Sequence, residues 1–318
     1  MRRLVAELDG IIAVLRVAND DENLARAHTA RGWLCFWIGR ADNAVEEARR
    51  AIEHARRASA PSLEAEAVAL SVAAMRFGRT SWWELERFVD ERLARAGDRL
   101  GGRLGAGLLD RRGVALAARG EFDAAREFYE SLRQLNLERG MALIGSTLAE
   151  ERGSVELRAR EWDAAERIYR EAWDALAATG EQGFRATHGV NLAMALVPQG
   201  RFDEAEEIVG ECEQMTSTDD FAAHCGVALV RARIASARGR HDDAVDYARA
   251  ALELVAPTDY LETTAEAYVA LGEVLLAAGN RSEAAAALES AEALALEKGS
   301  LVLAGEARAL LDGIPTNA

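Results

Sequence analysis

The sequence predicts an all-α fold, a solenoid of about seven helical hairpins, and three observations carry that prediction. Only 4 of the 318 residues are proline, while alanine, the best helix former, makes up roughly a fifth of the chain. Short turns recur at Gly39, Gly78, Gly120, Arg160, Gly200, Gly239 and Gly279, at spacings of 39, 42, 40, 40, 39 and 40. Columns of small side chains keep step with those turns. Seven residues before each turn stand Gly32, Ser71, Gly113, Gly153, Ala193, Ala232 and Gly272. Five after stand Ala44, Trp83, Ala125, Ala165, Ala205, Ala244 and Ala284, and twelve after stand Ala51, Ala172, Cys212, Ala251 and Ala291, with Asp90 and Leu132 as outliers. Small residues at such points let two paired helices approach closely.

Residues 1–18 come first. Leu4 to Val17 is amphipathic and has no turn glycine, so it reads either as a terminal cap or as the second helix of a hairpin lacking its first. Asn19-Asp20-Asp21 then opens the first of the hairpins expected over 19–299. Each hairpin reads as a helix ending at its turn glycine, followed by an aspartate N-cap for the next helix. The openings are Glu121-Phe122-Asp123-Ala124-Ala125, Glu161-Trp162-Asp163-Ala164-Ala165, Arg201-Phe202-Asp203-Glu204-Ala205 and Arg240-His241-Asp242-Asp243-Ala244. The second hairpin departs, because Ser81-Trp82-Trp83 replaces both the aspartate and the small alanine. It reads as a degenerate repeat whose two aromatics fill a wider gap, or as a local binding feature. Residues 300–313 supply a closing helix, with Gly313 and Pro315 behind it.

A small residue, a turn glycine, an aromatic two later and an alanine three beyond that resemble the tetratricopeptide repeat (TPR). Tyr268, Leu271, Gly272, Gly279, Ala284 and Ala291 give the fullest match. The period near 40 exceeds the usual length of about 34, which implies longer helices, because the turns stay short. The longer beat is similar to the TPR-like arrays at the C-terminal end of bacterial signalling ATPase and adenylate/guanylate cyclase proteins and related regulators. That resemblance implies a right-handed superhelix acting as a non-catalytic scaffold or regulatory module. It would present a concave surface to a protein or peptide, or to upstream domains of a longer chain.

Composition narrows the function independently. The 53 acidic and 38 basic side chains leave a net charge of −15, which opposes binding to nucleic acid or to an anionic membrane. Lys298 is the single lysine, so the other 37 basic residues are arginine, and no G-x-x-x-x-G-K-[ST] loop exists. Cys35, Cys212 and Cys225 form no C-x-x-C pair. With Glu7 and Asp9 interrupting the first apolar run, they point to a cytoplasmic protein. No catalytic residue, metal set or cofactor is expected: the histidines His28, His54, His188, His224 and His241 share no ligand spacing, and no G-x-S-x-G elbow appears.

Binding is the better expectation. In TPR geometry the residues ten, six and three before each turn face the concave side. These positions nominate Trp33, Phe36, Met75, Asp110, Glu150, Met194, Arg233 and Glu273 as partner-binding residues. Trp33, Phe36 and Trp37 form the richest aromatic patch, expected either to bury against Leu4 to Val17 or an upstream hairpin, or to anchor a partner. A small-molecule sensor, with a pocket near Trp33 or near Trp82 and Trp83, is the alternative from another class. A third reading is the C-terminal fragment of a larger ATPase or cyclase.

Overall fold

The computed structural model describes residues 2–96, 103–138 and 148–315, and among these every regular element is helical. In chain order they are α1 (Arg2–Ala18), α2 (Asp21–Trp37), α3 (Ala41–Arg57), α4 (Pro61–Phe77), α5 (Trp82–Ala96), α6 (Arg103–Ala118), α7 (Phe122–Glu138) and α8 (Leu148–Ala159). There follow α9 (Trp162–Thr179), α10 (Gly183–Leu196), α11 (Phe202–Met215), α12 (Phe221–Ala237), α13 (His241–Val255), α14 (Leu261–Ala277), α15 (Arg281–Lys298) and α16 (Leu301–Asp312). The chain divides into two compact units, residues 1–111 with 257–261, and residues 112–256 with 262–318.

The turns have the backbone the repeat spacing requires. Gly39, Gly120, Gly200, Gly239 and Gly279 all take positive φ, a conformation glycine adopts without steric cost. Arg160 takes the same conformation at φ 60°, so the register holds there even without a glycine. Gly78 does not; its backbone is extended at φ −75°, ψ −166°, and this is the turn of the divergent second hairpin.

The aspartates are a correction. The N-caps of α3, α9, α11 and α13 are Arg40, Glu161, Arg201 and Arg240, none with a side-chain capping bond. Asp42, Asp163, Asp203 and Asp242 sit inside the first turn instead, where a carboxylate favours the positive end of the helix dipole. The left-handed turn residue places the next residue at the cap, two residues before the aspartate. Side-chain caps occur elsewhere. Asp20 accepts from the Asn23 amide at 3.1 Å and Asp220 from the Ala223 amide at 3.0 Å. Ser81 and Glu84 form a reciprocal capping box, the Glu84 amide donating to Ser81 Oγ at 3.3 Å and the Ser81 amide to Glu84 Oε2 at 3.0 Å.

Close approach explains the small columns. Ala44, Ala125, Ala165, Ala205, Ala244 and Ala284 are completely buried. A Cβ built on Gly113 would lie 2.4 Å from the Tyr129 ring, one on Gly153 2.4 Å from the Tyr169 ring, and one on Gly272 2.5 Å from Leu288. Tyr129, Tyr169 and Leu288 all stand nine residues after their turns. Where the earlier position is alanine, at Ala193 and Ala232, the position nine after the turn is the smaller Val209 or Ala248. Volume is thus traded across these five hairpins, as close packing requires.

In the first unit only Phe36 of the aromatic patch is buried, by neighbours other than those expected, while Trp33 is partly exposed and Trp37 exposed. Phe36 packs on Phe77 at 5.6 Å and Tyr260 at 5.8 Å between ring centroids, and Tyr260 stacks on Phe77 at 5.1 Å. The Tyr260 hydroxyl donates to the Phe36 carbonyl at 2.8 Å. Next to it, the Asp259 carboxylate accepts from the Ala41 and Asp42 amides at 2.6 and 2.9 Å and caps α3 from a remote part of the sequence. Helix α1 meets α2 through Ile12, Leu15, Leu24 and Ala27 and leaves Leu4, Ile11, Val14 and Val17 exposed. Of the two tryptophans in the second hairpin, Trp82 is fully buried and Trp83 exposed, so only one fills the gap.

In the second unit α16 packs Leu303, Ala304 and Ala307 on Ala291 and Ala295 of α15. Glycine substitutions in this unit separate packing from propensity. Gly153→Ala should cost about 1–3 kcal/mol by forcing Tyr169 out of place. Gly210→Ala should instead gain about 0.5–1 kcal/mol, because Gly210 lies within α11 with open space around it. Urea unfolding of both variants checks the contrast.

Candidate functional site

Within the second unit three of the nominated residues meet. Met194, Arg233 and Glu273 each stand six residues before a turn, on α10, α12 and α14. Arg233 Nε lies 3.4 Å from Glu273 Oε2, and its Nη1 lies 3.6 Å from the Met194 sulfur. All three are partly exposed. One apolar, one cationic and one anionic group therefore share a continuous surface across three successive first helices, flanked by the buried Val190, Leu229 and Val269.

The other nominated residues are placed differently. Glu150, on α8 of the same unit, is partly buried, and its carbonyl accepts from the Tyr169 hydroxyl at 3.0 Å. In the first unit Phe36 and Met75 are buried core residues, while Trp33 is partly exposed and meets Phe36 edge-on at 5.7 Å. Asp110 lies outside the residues whose side chains are described.

Sequence reasoning missed the polar network next to the Met194–Arg233–Glu273 surface. Glu262, at the start of α14, accepts from Arg158 Nη1 of α8 at 2.9 Å and from the Ser300 hydroxyl at the N-cap of α16. Lys298 and Ser300 are completely buried. Burial alone would raise the Glu262 carboxyl, but the Arg158 charge, the hydrogen bonds from Arg158 and Ser300, and the Lys298 charge together hold it below the usual carboxylate range. Glu306 on α16 pairs with Arg160 at 2.7 Å.

Glu266, one turn beyond Glu262, has no ion-pair or hydrogen-bond partner among the described residues. Burial pushes its carboxyl up to about 7; the Arg158 and Arg233 charges oppose that shift, and those of Glu262 and Glu306 reinforce it. The two carboxylates one turn apart near the start of α14 were the visible signal. Arg158, the partner of Glu262, stands 104 residues away from it, so nothing local could have named it.

Nucleophilic chemistry finds little here. Burial pushes the Cys212 and Cys225 thiols up to about 12, far from the thiolate a nucleophile needs. His224 Nε2 lies 3.1 Å from the Ser217 carbonyl while its neighbour Cys225 is buried, so the two side chains diverge. Among the described residues no helix is long and apolar enough to cross a membrane.

Comparisons with known proteins agree with this architecture. The tetratricopeptide repeat family matches residues 226–297, the stretch from α12 to α15 that carries Arg233, Glu262, Glu266 and Glu273. No curated protein sequence matches the chain. A Rap protein solved in complex with competence and sporulation factor is similar at a TM-score of 0.59 and 14% identity, over 86% of this chain and 77% of that one. NprR, solved in complex with its cognate peptide NprX, is similar at a TM-score of 0.61 and 12% identity, over 84% of this chain and 82% of that one.

The buried network has a direct energetic consequence. Glu262→Ala leaves Arg158 and Lys298 without their shared anion and should destabilise the second unit by about 3–5 kcal/mol, with Ser300→Ala costing about 1–2 kcal/mol. Because the Glu262 carboxyl is depressed, its contribution is present above the ordinary carboxylate range and is lost as pH falls through its folded value. Denaturant unfolding at neutral and acidic pH checks both statements. The hairpins, their turns, the repeat match over residues 226–297 and the structural neighbours together show a TPR-like helical-repeat fold.

Proposed function

We propose that this chain is a non-catalytic peptide- or protein-binding module of a bacterial signalling system. Its ligand lies along α10, α12 and α14 of the second unit. The observation that carries this reading is the convergence of Met194, Arg233 and Glu273 on one partly exposed surface. Such a surface offers a soft apolar contact and both charges, the equipment for holding an extended backbone and orienting its side chains. NprR, a protein of similar fold, was solved with its cognate peptide bound, and a Rap protein of similar fold with competence and sporulation factor, which supports a peptide or protein ligand here. The resemblance of the 40-residue beat to arrays of signalling ATPase and cyclase proteins supports the signalling context and a chain with further domains.

The test is selection of ligands from a displayed random-peptide library, followed by fluorescence polarisation with the selected peptides. Arg233→Ala should weaken a selected peptide by about tenfold or more, the loss expected for a charge-assisted contact. Trp83→Ala, on an exposed side chain of the first unit, should leave affinity unchanged. No selected peptide, or binding insensitive to Arg233, would contradict the proposal.

A further inference from the structure

Away from the Met194–Arg233–Glu273 surface, the second unit holds a cleft of about 220 Å³ lined by α7, α8 and α9. Tyr129, Val155 and Ile168 supply its apolar wall; the first two are almost completely buried and Ile168 is partly exposed. Arg126 and Glu130 of α7 and Arg152 and Glu156 of α8 supply the rest. Three of these four charged groups are already engaged. Arg126 grips Glu156 across the two helices, its Nη2 donating to Oε2 at 2.7 Å and its Nε to Oε1 at 3.0 Å. Its Nη1 donates to Asp123 at 3.0 Å. Glu130 accepts from Arg133 Nη2 at 2.7 Å, from Arg133 Nε at 2.9 Å and from Gln134 at 2.9 Å. Arg152 has neither a hydrogen bond nor an ion pair among the described residues. Its charge reaches Glu130 only through space.

The balance of charge selects the ligand. Each lining carboxylate is matched by an arginine fork, Glu156 by Arg126 and Glu130 by Arg133, which leaves the Arg152 charge over. Asp123 also meets Arg126, but its side chain is 95% exposed, where solvent screens it. One surplus positive charge suits a monoanion. A dianion such as a phosphate monoester would set a second negative charge against Glu130 and Glu156. A guanidinium fork matches the two oxygens of a carboxylate. The apolar wall then takes the rest of the molecule. That remainder is short, because the cleft is smaller than the roughly 300 Å³ at which sites for drug-sized ligands begin.

We propose that this cleft binds a small monocarboxylic acid with a short apolar chain. Its carboxylate lies on Arg152 and its chain against Tyr129, Val155 and Ile168. The site goes beyond the peptide surface on α10, α12 and α14 and shares no residue with it, so the two fail separately. A peptide's C-terminal carboxylate would present the same chemistry to Arg152; the size of the cleft favours the free acid.

Saturation-transfer NMR with 3-methylbutanoate as the probe tests the site. Saturation of the wild-type chain should reach the methyl groups of the acid. Arg152→Gln should weaken binding by about tenfold or more, and Arg152→Lys, which keeps the charge but loses the fork, by less. Arg167→Gln removes the same charge from an exposed arginine of α9 outside the cleft and should leave binding unchanged. Because Arg152 makes no hydrogen bond or ion pair among the described residues, its variants should unfold at the urea concentration of the wild type, which separates lost binding from lost fold. The neutral 3-methylbutan-1-ol should bind about tenfold more weakly than the acid. N-acetylglycyl-leucine with a free carboxylate distinguishes the sources: Arg152-dependent binding tighter than that of 3-methylbutanoate would support the same subsite with a peptide end as its ligand. Binding of neither acid, equal binding by Arg152→Gln and wild type, or an alcohol that binds as tightly as the acid would overturn the proposal.

Discussion

Everything functional in this molecule depends on how closely the two helices of a hairpin approach. Gly113 beneath the Tyr129 ring, Gly153 beneath Tyr169 and Gly272 against Leu288 leave no room for a methyl group. The facing alanines five residues after the turns are without solvent contact. Close-packed interiors tolerate little change in volume, so these contacts set the spacing of each hairpin. A fixed spacing repeated about every 40 residues returns the same helix face at each step. That repetition aligns Met194, Arg233 and Glu273, separated by 39 and 40 residues in sequence, on one surface.

A second layer of constraint is polar. The unit buries a lysine, a serine and a glutamate where an apolar cluster would pack with less desolvation. What the charges add is specificity of arrangement, because Glu262 is satisfied only when α8, α14 and the start of α16 meet in one geometry. The first unit uses a comparable device. His28 and Glu47 are buried together 2.7 Å apart between α2 and α3, and Asp259 caps α3 from 218 residues away. Hydrophobic columns set the distance between paired helices, and long-range polar contacts fix which helices come together beyond the pair.

That division explains what could be read from the sequence. The helices, the turn positions and the small columns repeat, so they were legible; even Arg160 kept the left-handed turn conformation its register demanded. Three of the eight nominated binding residues meet because they occupy the same position of successive repeats. Phe36 was nominated by the same rule yet is buried, since Tyr260 arrives from a segment whose approach no periodicity encodes. The aspartates were misplaced by two residues because capping depends on the conformation of the residue before the helix, which composition does not reveal. Arg158, Lys298 and Ser300 were invisible for the same reason as Tyr260. Their role exists only through contacts between distant parts of the chain, and each occurs once rather than at a repeating position.

The claim that α10, α12 and α14 of the second unit form the ligand face is tested most directly by hydrogen–deuterium exchange with and without a selected peptide. Bound peptide should slow exchange in residues 183–196, 221–237 and 261–277, the three first helices, and leave the second helices α11, α13 and α15 unchanged. Protection confined to the second helices, or to the first unit, would contradict the account and move the binding surface elsewhere.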